Sequence, residues 1–381
     1  MELTNVEKRV EAEHGVVASF PNEFFGYFGW PSVTRMDDGT LVAAASGLRN
    51  EHVCPFGRSV ILVSRDEGRT WTTPTVVNDL PLDDRDAGIV SLGGKGLLIS
   101  WFITDTRRSE VFTTYKSKGD AEYQRRYEAA FRRMEDGNTS RWTGAWVRIS
   151  ADAGETWGEP IKVEHTAPHG PIRLRSGKLL YLGKEFVTDT QGFSKGKGGI
   201  SCATSADGRT WKRLGEVPLY PGSVEGQYHE PHVVELPGNR LLGVIRVENE
   251  ESGKESLKDI GLVHFSMMQT ESADGGKSWS RAEPFGFHGS PPHLLLHSSG
   301  ALVCVYGYRK EGYGERAMIS RDAGKSWRFH YIIRDDGPDG DLGYPCSVEL
   351  PDGSIFTVYY QKLKDKAEKC SLLWSRWKLP E

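Results

Sequence analysis

The sequence lacks the features that mark membrane or nucleic-acid binding proteins. Its 48 Lys and Arg residues are outnumbered by 52 Asp and Glu residues, which gives a formal net charge of -4. No broad basic field is therefore available for nucleic acid or an anionic membrane surface. No apolar run approaches bilayer-spanning length, and the N-terminus has no apolar signal-peptide segment. We therefore expect neither of these partners, and we expect the protein to be cytoplasmic.

Paired cysteines are also lacking. The chain has five cysteines, an odd number, and none of them forms a Cys-x-x-Cys pair. This pattern argues against a disulfide framework and against a structural zinc site. We expect the function to need no metal and no cofactor.

Glycine, proline and tryptophan are plentiful, with 44, 19 and 11 residues. This composition is typical of many short strands joined by tight turns. One eight-residue pattern, Ser-x-Asp-x-Gly-x-Thr/Ser-Trp, recurs five times, once with a residue missing: at 64–71, 150–157, 205–211, 272–279 and 320–327. Its Ser and Asp can bond the turn backbone while its Trp packs between strands, so we expect it to support the fold rather than to carry the chemistry.

A second repeat predicts the architecture. Six segments, such as RMDDGTLVAAA and ELPDGSIFTVY, place a glycine turn before an apolar strand, at Gly39, Gly94, Gly177, Gly238, Gly300 and Gly353. The intervals are 55, 83, 61, 62 and 53 residues. A period of this length with two hairpins is a four-stranded blade. We predict an all-β protein, a six-bladed β-propeller of antiparallel blades that forms one domain over residues 1–381, with residues 13–21 closing the ring by pairing into the last blade.

The 83-residue interval contains a helical pattern. Over residues 118–136, apolar side chains recur at spacings of three and four, as Tyr123, Tyr127, Ala130, Phe131 and Met134. We predict a helical insertion spanning about 105–141. Its role as a lid, a docked flap or a dimer contact stays open, as does the oligomeric state.

Polar and aromatic residues recur where each inner strand should begin, about eight residues before the turn glycine. These residues are Trp30, Asp86, His169, Glu230 and Tyr344. The second strands should return to the same face near Arg49, Trp101, Arg246 and Arg309. Ionisable groups converging from several blades on one axis favour a binding or catalytic site. The tryptophan boxes should lie on the opposite face.

Two segments carry a resemblance to a known family. HEPHVVELPGNRLLGVIR places Glu230 sixteen residues before Arg246, and GYPCSVELPDGSIFTVYY places Tyr344 just before a strand. With the five boxes, these segments resemble the sialidase (neuraminidase) superfamily over nearly the whole chain outside the helical insertion. The resemblance implies an exo-acting glycoside hydrolase that cleaves a terminal, acidic sugar by a retaining mechanism. Tyr344 would be the nucleophile, Glu230 its base and Arg246 an anchor for the sugar carboxylate.

The chain departs from the family pattern at other positions. In FGWP, Gly29 stands where the family has the first of three arginines. His52 falls near the position of the family's acid/base aspartate, and Asp86 is a second candidate for the proton donor. The third arginine is either Arg309 or Arg316. The full set of expected substrate contacts is Arg246, Arg309, Arg316, Arg49, His169, His229, Trp30 and Trp101.

Two alternatives remain open from the sequence. One keeps the fold but uses His169 or His229 in a lyase or rhamnosidase-type reaction. The other is a propeller that binds carbohydrate without catalysis. In each of these interpretations the partner is a carbohydrate.

Overall fold

The computed structural model describes residues 1–80, 82–134, 136–189, 198–249 and 256–381. Two strands precede the first blade: β1 (Glu2–Arg9) and β2 (Ala12–Ala18). Blade 1 holds β3 (Tyr27–Arg35), β4 (Leu41–Arg49), β5 (Arg58–Ser64) and β6 (Thr75–Asn78). Blade 2 holds β7 (Asp83–Gly93), β8 (Gly96–Thr104), β9 (Gly144–Ser150) and β10 (Ile161–Val163).

The remaining blades follow in chain order. Blade 3 holds β11 (His165–Thr166), β12 (Ile172–Arg173), β13 (Leu179–Glu185), β14 (Ile200–Ser205) and β15 (Lys212–Glu216). Blade 4 holds β16 (Tyr228–Leu236), β17 (Arg240–Val247), β18 (Ser266–Ser272) and β19 (Glu283–Pro284). Blade 5 holds β20 (Pro292–Leu296), β21 (Leu302–Tyr308), β22 (Gly314–Ser320) and β23 (Ser326–Arg334). Blade 6 holds β24 (Gly343–Glu349), β25 (Ile355–Gln361) and β26 (Ser371–Trp377).

The six sheets confirm the predicted propeller of four-stranded antiparallel blades. Each predicted turn glycine lies between the first two strands of its blade. Gly177 and Gly238 have φ of 83° and 80°, and a Cβ added at either would meet nothing within 4 Å. These positions therefore require glycine for its conformation rather than for space. In blade 3 the inner strand is split into β11 and β12, both of which pair with β13.

The N-terminus closes the ring as predicted. Strand β2 is the outermost strand of blade 6 and pairs antiparallel with β26, with Val16 opposite Leu373. Strand β1 adds a further strand to blade 5, where it runs parallel to β23. The sequence pattern did not indicate this second pairing. The N-terminal residues thus join the last two blades.

The tryptophan boxes form the turns between the third and fourth strands. In the first box, Asp66 accepts hydrogen bonds from the Thr70 N–H at 2.9 Å and from the Thr70 hydroxyl at 2.6 Å. The Ser64 hydroxyl oxygen accepts the Gly68 N–H at 2.8 Å. Ser150, Ser205, Ser272 and Ser320 accept the corresponding glycine N–H in the other boxes. The repeated residues are occupied by their own turn, as the sequence predicted.

The helical insertion follows β8 and contains α1 (Glu110–Thr114), α2 (Ala121–Arg132) and α3 (Asp136–Trp142). Short 3₁₀ turns occur at Thr106–Arg108, Tyr115–Ser117, Glu225–Gln227 and Leu257–Ile260. Tyr127, Phe131 and Met134 of the predicted apolar face are buried. The Tyr127 ring contacts Phe56 at 5.0 Å, and the Tyr123 hydroxyl donates to Glu51 at 2.8 Å. The insertion therefore packs on the loop after β4 of blade 1. No described helix has the length and apolar character needed to cross a bilayer.

We predict that β2 contributes more to stability than β1. The side chains of β1 are almost all exposed, whereas Val17 and Ala18 of β2 are buried in the core. Deletion of residues 1–18 should lower the Tm by at least about 5 °C, because it also leaves β26 as an unpaired edge strand. Deletion of residues 1–10 should have a clearly smaller effect. Thermal unfolding monitored by circular dichroism measures both, and equal losses would contradict the assignment of ring closure to β2.

Candidate active site

The inner strands of four blades carry a residue in the left-handed conformation within their first four positions. Trp30, Asp86, Glu230 and Tyr344 have φ of 52°, 51°, 48° and 52°. The pairing with the second strand shifts register beside each of them. Such a bulge re-aims a side chain, and the conformation costs about 1–3 kcal/mol for a residue other than glycine. Strain repeated at one level of the propeller points to a functional site at that level.

Tyr344, Glu230 and Arg246 form one hydrogen-bonded cluster. The Tyr344 hydroxyl donates to Glu230 Oε1 at 2.5 Å. Arg246 Nη1 donates to Glu230 Oε2 at 2.5 Å and to the Tyr344 oxygen at 3.1 Å. Arg246 Nη2 donates to Glu248. The cluster thus joins two residues of blade 4 to one residue of blade 6, and all three were predicted from the sequence to lie at the same end of the propeller.

The surroundings of this cluster shift the pKa values of Glu230 and Tyr344 in opposite directions. Burial opposes ionisation of Glu230, but the Arg246 charge and the Tyr344 hydrogen bond outweigh it and lower the pKa of Glu230 below its ordinary value. Burial and the Glu230 charge raise the pKa of Tyr344 well above its ordinary value. At neutral pH, Glu230 is therefore an anion that accepts a hydrogen bond from a neutral phenol.

Asp86 has the opposite electrostatics. Asp86 is 6% exposed, and burial together with the nearby Glu230 charge raises the pKa of Asp86 to about 7. The two carboxyl groups consequently differ in charge over the range between their pKa values. Such a split is what assigns acid and base roles to paired carboxyl groups in many enzymes.

His52 lies at the rim, with 47% of its side chain exposed. Its Nδ1 is 2.9 Å from Asp341 Oδ1 and 3.0 Å from the Tyr27 hydroxyl. The imidazole lies edge-on to Trp30, with ring centroids 4.9 Å apart. The sequence indicated His52, but not its partner Asp341, which lies 289 residues away in the loop before β24.

Arg309 is the third-arginine candidate that reaches the cluster. Its guanidinium lies 5.5 Å from the Tyr344 ring centroid and donates to the Leu342 carbonyl at 2.9 and 3.1 Å. Arg316 instead donates to Glu7 at 2.9 Å and lies over Tyr308. The expectation that Arg316 contacts substrate is therefore wrong, because its guanidinium is committed to β1.

The prediction that Arg49 contacts the substrate is also wrong. It is fully buried and pairs with Asp83 at 2.7 Å. Its other bonds reach the Ser46 hydroxyl and the carbonyls of Asp84, Glu51 and His52. Arg49 therefore fixes the backbone of the His52 loop.

Sequence reasoning gave Arg85 only a minor role beside Asp86. Its guanidinium lies 4.2 Å from the Trp30 ring centroid, and 16% of its side chain is exposed. It makes a 3.3 Å bond to the His52 carbonyl and a 3.6 Å contact with Asp83. The sequence places Arg85 directly before Asp86 at a predicted inner-strand start, but its contacts with Trp30 and the His52 loop join two blades and no sequence signal indicates them.

The two tryptophans differ from expectation. Trp30 reaches the site but is 1% exposed, because Arg49 and Arg85 lie over its ring. Trp101 is 2% exposed and belongs to the core beside Ile99 and Tyr127, so its predicted sugar contact is wrong. The physical reason is register. Arg246 pairs with His229, and the corresponding partner of Arg85 is Phe102, so Trp101 points to the other face of β8.

The predicted histidines are neutral groups with protein partners. Lys184 Nζ lies 3.2 Å from His229 Nδ1, and burial lowers the pKa of His229 to about 4. His169 packs against His232 and His293, with ring centroids 5.7 and 5.0 Å away. His232 and His293 accept backbone N–H groups at Nδ1, so in the neutral ring Nε2 carries the proton. From the sequence, His293 was recognised only as part of a predicted inner-strand start, and His232 was not recognised, although it lies two residues past Glu230.

Two other features do not compete with this cluster. Across the described ranges, no group of three or more His, Cys, Asp or Glu residues is arranged to hold a metal ion. An open groove of about 730 Å³ is lined by residues 8–13, 374 and 376–381 with neighbouring side chains, and it includes none of the clustered residues above.

Comparisons with known proteins agree with this architecture. Residues 127–357 match the family model described as a BNR repeat-like domain. A comparison with curated proteins finds no match. A protein of unknown function from Dyadobacter fermentans is 22% identical, with a TM-score of 0.71 over 97% of this chain and 98% of that one.

Solved glycoside hydrolases share the fold at lower identity. Trypanosoma rangeli sialidase in complex with sialic acid is 16% identical, with a TM-score of 0.59, and the match covers 98% of this chain but 59% of that one. The intramolecular trans-sialidase of Ruminococcus gnavus is 15% identical, with a TM-score of 0.61 over 96% and 97% of the two chains. The α-L-arabinanase of Penicillium chrysogenum, complexed with arabinobiose, is 15% identical, with a TM-score of 0.57 over 96% and 98%.

Since the family model spans more than half of the chain, the protein belongs to the BNR repeat-like domain family, and it has the six-bladed propeller fold of the sialidases.

Proposed function

We propose that the protein is an exo-acting glycoside hydrolase that removes a terminal, acidic, sialic-acid-like sugar by a retaining mechanism. The observation that carries the proposal is the hydrogen bond from the Tyr344 hydroxyl to Glu230, with Arg246 bonded to both. A nucleophile and a base in direct contact, with a third group orienting the base, is the arrangement of covalent catalysis.

A tyrosine nucleophile suits a sugar that carries a carboxylate on its anomeric carbon. An Asp or Glu nucleophile would be repelled by that carboxylate, whereas a phenol is neutral. The phenol needs a base, because its ordinary pKa is about 10 and burial raises the pKa of Tyr344 further. Glu230 is ionised and already accepts the hydrogen bond of the Tyr344 hydroxyl, so it is placed to act as that base.

The reaction proceeds in two displacements. The Tyr344 oxygen forms a bond to the anomeric carbon as its proton passes to Glu230 and the bond to the leaving-group oxygen breaks. Water then attacks the same carbon, the bond to Tyr344 breaks, and Glu230 returns the proton. The leaving oxygen must gain a proton in the first step, and the site offers His52 and Asp86 for it.

Basic side chains support an acidic substrate. Arg309 lies against Tyr344, and Arg85 lies at the rim beside His52. The family's first arginine is absent because Gly29 occupies its place, where an added Cβ would lie 3.2 Å from the Tyr27 ring. We propose that Arg85 provides the cation that Gly29 cannot.

The contacts of the other histidines favour this mechanism over the lyase or rhamnosidase alternative. Burial lowers the pKa of His169 well below its ordinary value, and His229 lies 3.2 Å from Lys184 Nζ and 3.4 Å from Glu248 Oε1. Neither group is placed beside an acidic partner as closely as Tyr344 is. The alternative of a carbohydrate-binding propeller is weakened by the strained, bonded Tyr344–Glu230 pair, which sugar binding alone does not require.

Hydrolysis of an aryl glycoside panel tests the proposal. The panel contains a sialoside, a deaminated sialoside, a uronide and a rhamnoside. We expect turnover of an acidic member and a loss of at least about 10³-fold in kcat for Tyr344→Phe, because no attacking oxygen remains. The matched control is Tyr360→Phe, which removes a buried hydroxyl that has no hydrogen-bond partner in the described structure, on a ring 6.0 Å from Tyr344.

Two results would count against the proposal. Turnover that survives Tyr344→Phe would move the chemistry to another group, such as a histidine. Tight binding of a sugar with no turnover across the panel would favour the non-catalytic alternative.

A second prediction concerns the acidic group of the sugar. Arg309→Met should raise KM for the acidic glycoside roughly 10- to 100-fold, since a charge-assisted hydrogen bond contributes about 1.5–3 kcal/mol. Arg316→Met, which removes an arginine bound to Glu7, should leave KM within about twofold of wild type. Steady-state kinetics on both variants, with thermal unfolding as a check on folding, provides the comparison. An equal change in the two KM values would contradict the role of Arg309.

A further inference from the structure

His52 has a partner that fixes which of its nitrogens carries the proton. Burial opposes ionisation of Asp341, but the hydrogen bond from His52 outweighs it and the pKa of Asp341 is lowered to about 2. An ionised carboxylate can only accept, and Tyr27 also donates to the same Oδ1 at 2.9 Å. His52 Nδ1 must therefore be the donor in this contact. Its Nε2 is left as the nitrogen that can exchange a proton.

The backbone that carries His52 is held from several sides. The His52 carbonyl accepts Arg49 Nη2 at 2.9 Å and Arg85 Nη1 at 3.3 Å. Glu51 accepts the hydroxyls of Tyr123 and Tyr127 of the helical insertion.

Asn50, the residue before Glu51, is held by hydrogen bonds as well. Asn50 donates to the Tyr127 hydroxyl at 3.0 Å and accepts Lys369 Nζ at 2.9 Å. A half-exposed side chain on a backbone held this tightly is preorganised, as a reacting group must be.

The depth of each group indicates which side of the sugar it faces. Tyr344 is 5% exposed and Asp86 is 6% exposed, whereas 47% of the His52 side chain reaches solvent. The Trp30 ring packs near both groups, with centroids 4.9 Å from His52 and 6.3 Å from Tyr344. An exo-acting enzyme buries the terminal sugar and leaves the rest of the substrate outside. The leaving-group oxygen is then on the side of His52.

This inference rests on the proposed function. We propose that His52 is the catalytic residue that exchanges a proton with the leaving group, and that Asp341 and Tyr27 are its positioning residues. In the first step, the protonated His52 ring gives its Nε2 proton to the leaving oxygen as Tyr344 bonds to the anomeric carbon and the bond from that carbon to the leaving oxygen breaks. In the second step, His52 takes a proton from the attacking water as the bond to Tyr344 breaks. Each proton is returned, and the net reaction consumes one water molecule.

The surroundings of His52 determine the pH dependence. Burial lowers the pKa of His52, although solvent reaches nearly half of the side chain, and the bond to Asp341 opposes the effect. The charged and titratable groups facing it or flanking it are Asp341, Tyr27, Arg85, Arg49 and Glu51. Proton donation needs the protonated ring, so it should fail as pH rises through the His52 pKa, below the ordinary value of about 6.5. Asp341→Asn removes the anion that raises the pKa of His52. The fall of kcat/KM with rising pH should therefore occur at lower pH in this variant.

The dependence of rate on the leaving group tests the assignment. The sugar that the wild-type enzyme hydrolyses in the panel is prepared as a dinitrophenyl glycoside, which needs little protonation, and as a methyl glycoside, which needs it strongly. His52→Gln should lower kcat/KM for the methyl glycoside about 10²- to 10⁴-fold and for the dinitrophenyl glycoside less than about 10-fold. Asp341→Asn should also lower kcat/KM more for the methyl glycoside than for the dinitrophenyl glycoside, with smaller losses than His52→Gln. The fall of kcat/KM with rising pH should shift to lower pH in the same variant. Asp86→Asn is the comparison variant, and thermal unfolding confirms that all three fold.

Other patterns would overturn the assignment. Equal losses on both glycosides in His52→Gln would make His52 a structural residue. Strong leaving-group dependence in Asp86→Asn, with none in His52→Gln, would make Asp86 the proton donor. Tolerance of Tyr344→Phe would instead remove the proposed function itself, so the two failures are distinguishable.

Discussion

The candidate site depends on closure of the propeller between blades 6 and 1. Strand β2 completes blade 6, and the inner strands β24 and β3 then lie side by side. This contact places Tyr27 against Asp341 and Trp30 against Tyr344, residues more than 300 positions apart in the chain. An open ring would leave the strained Tyr344 bulge without its neighbour and His52 without its carboxylate. Fold closure and site assembly are therefore the same event.

Within the closed ring, ion pairing explains how so many charges are buried. Arg246 is shared by Glu230 and Glu248, and Arg49 is paired with Asp83. A buried charge without a partner is costly, whereas a well-bonded pair largely offsets the loss of water. Among the described residues, Asp86 has no such partner of its own, and it instead keeps its proton up to about pH 7. The charge distribution at the site thus follows from which carboxylates have an arginine.

The sequence allowed prediction of the elements whose position follows from a local repeat. The six glycine turns predict the blades, and a count of about eight residues from each glycine finds Glu230, Tyr344 and Arg246. The same count failed at Trp101, because it lies seven residues after its glycine and a shift of one residue reverses the face of a strand. It also failed at Arg49, which pairs on the neighbouring strand with Tyr27, three residues before Trp30, and whose guanidinium is bound to Asp83. Asp341 and the role of Arg85 could not be predicted, since they depend on contacts between loops of different blades.

The central claim is that Tyr344 forms a covalent bond with the sugar. Its most direct test is to incubate the protein with a fluorinated glycosyl fluoride of the sugar it hydrolyses, which slows breakdown of the intermediate, and to measure the masses of the intact protein and its peptides. The account predicts an increase equal to one fluorinated sugar, located on the peptide that contains Tyr344. An increase on the peptide of Glu230 or Asp86 would contradict it, as would turnover of the reagent with no covalent adduct.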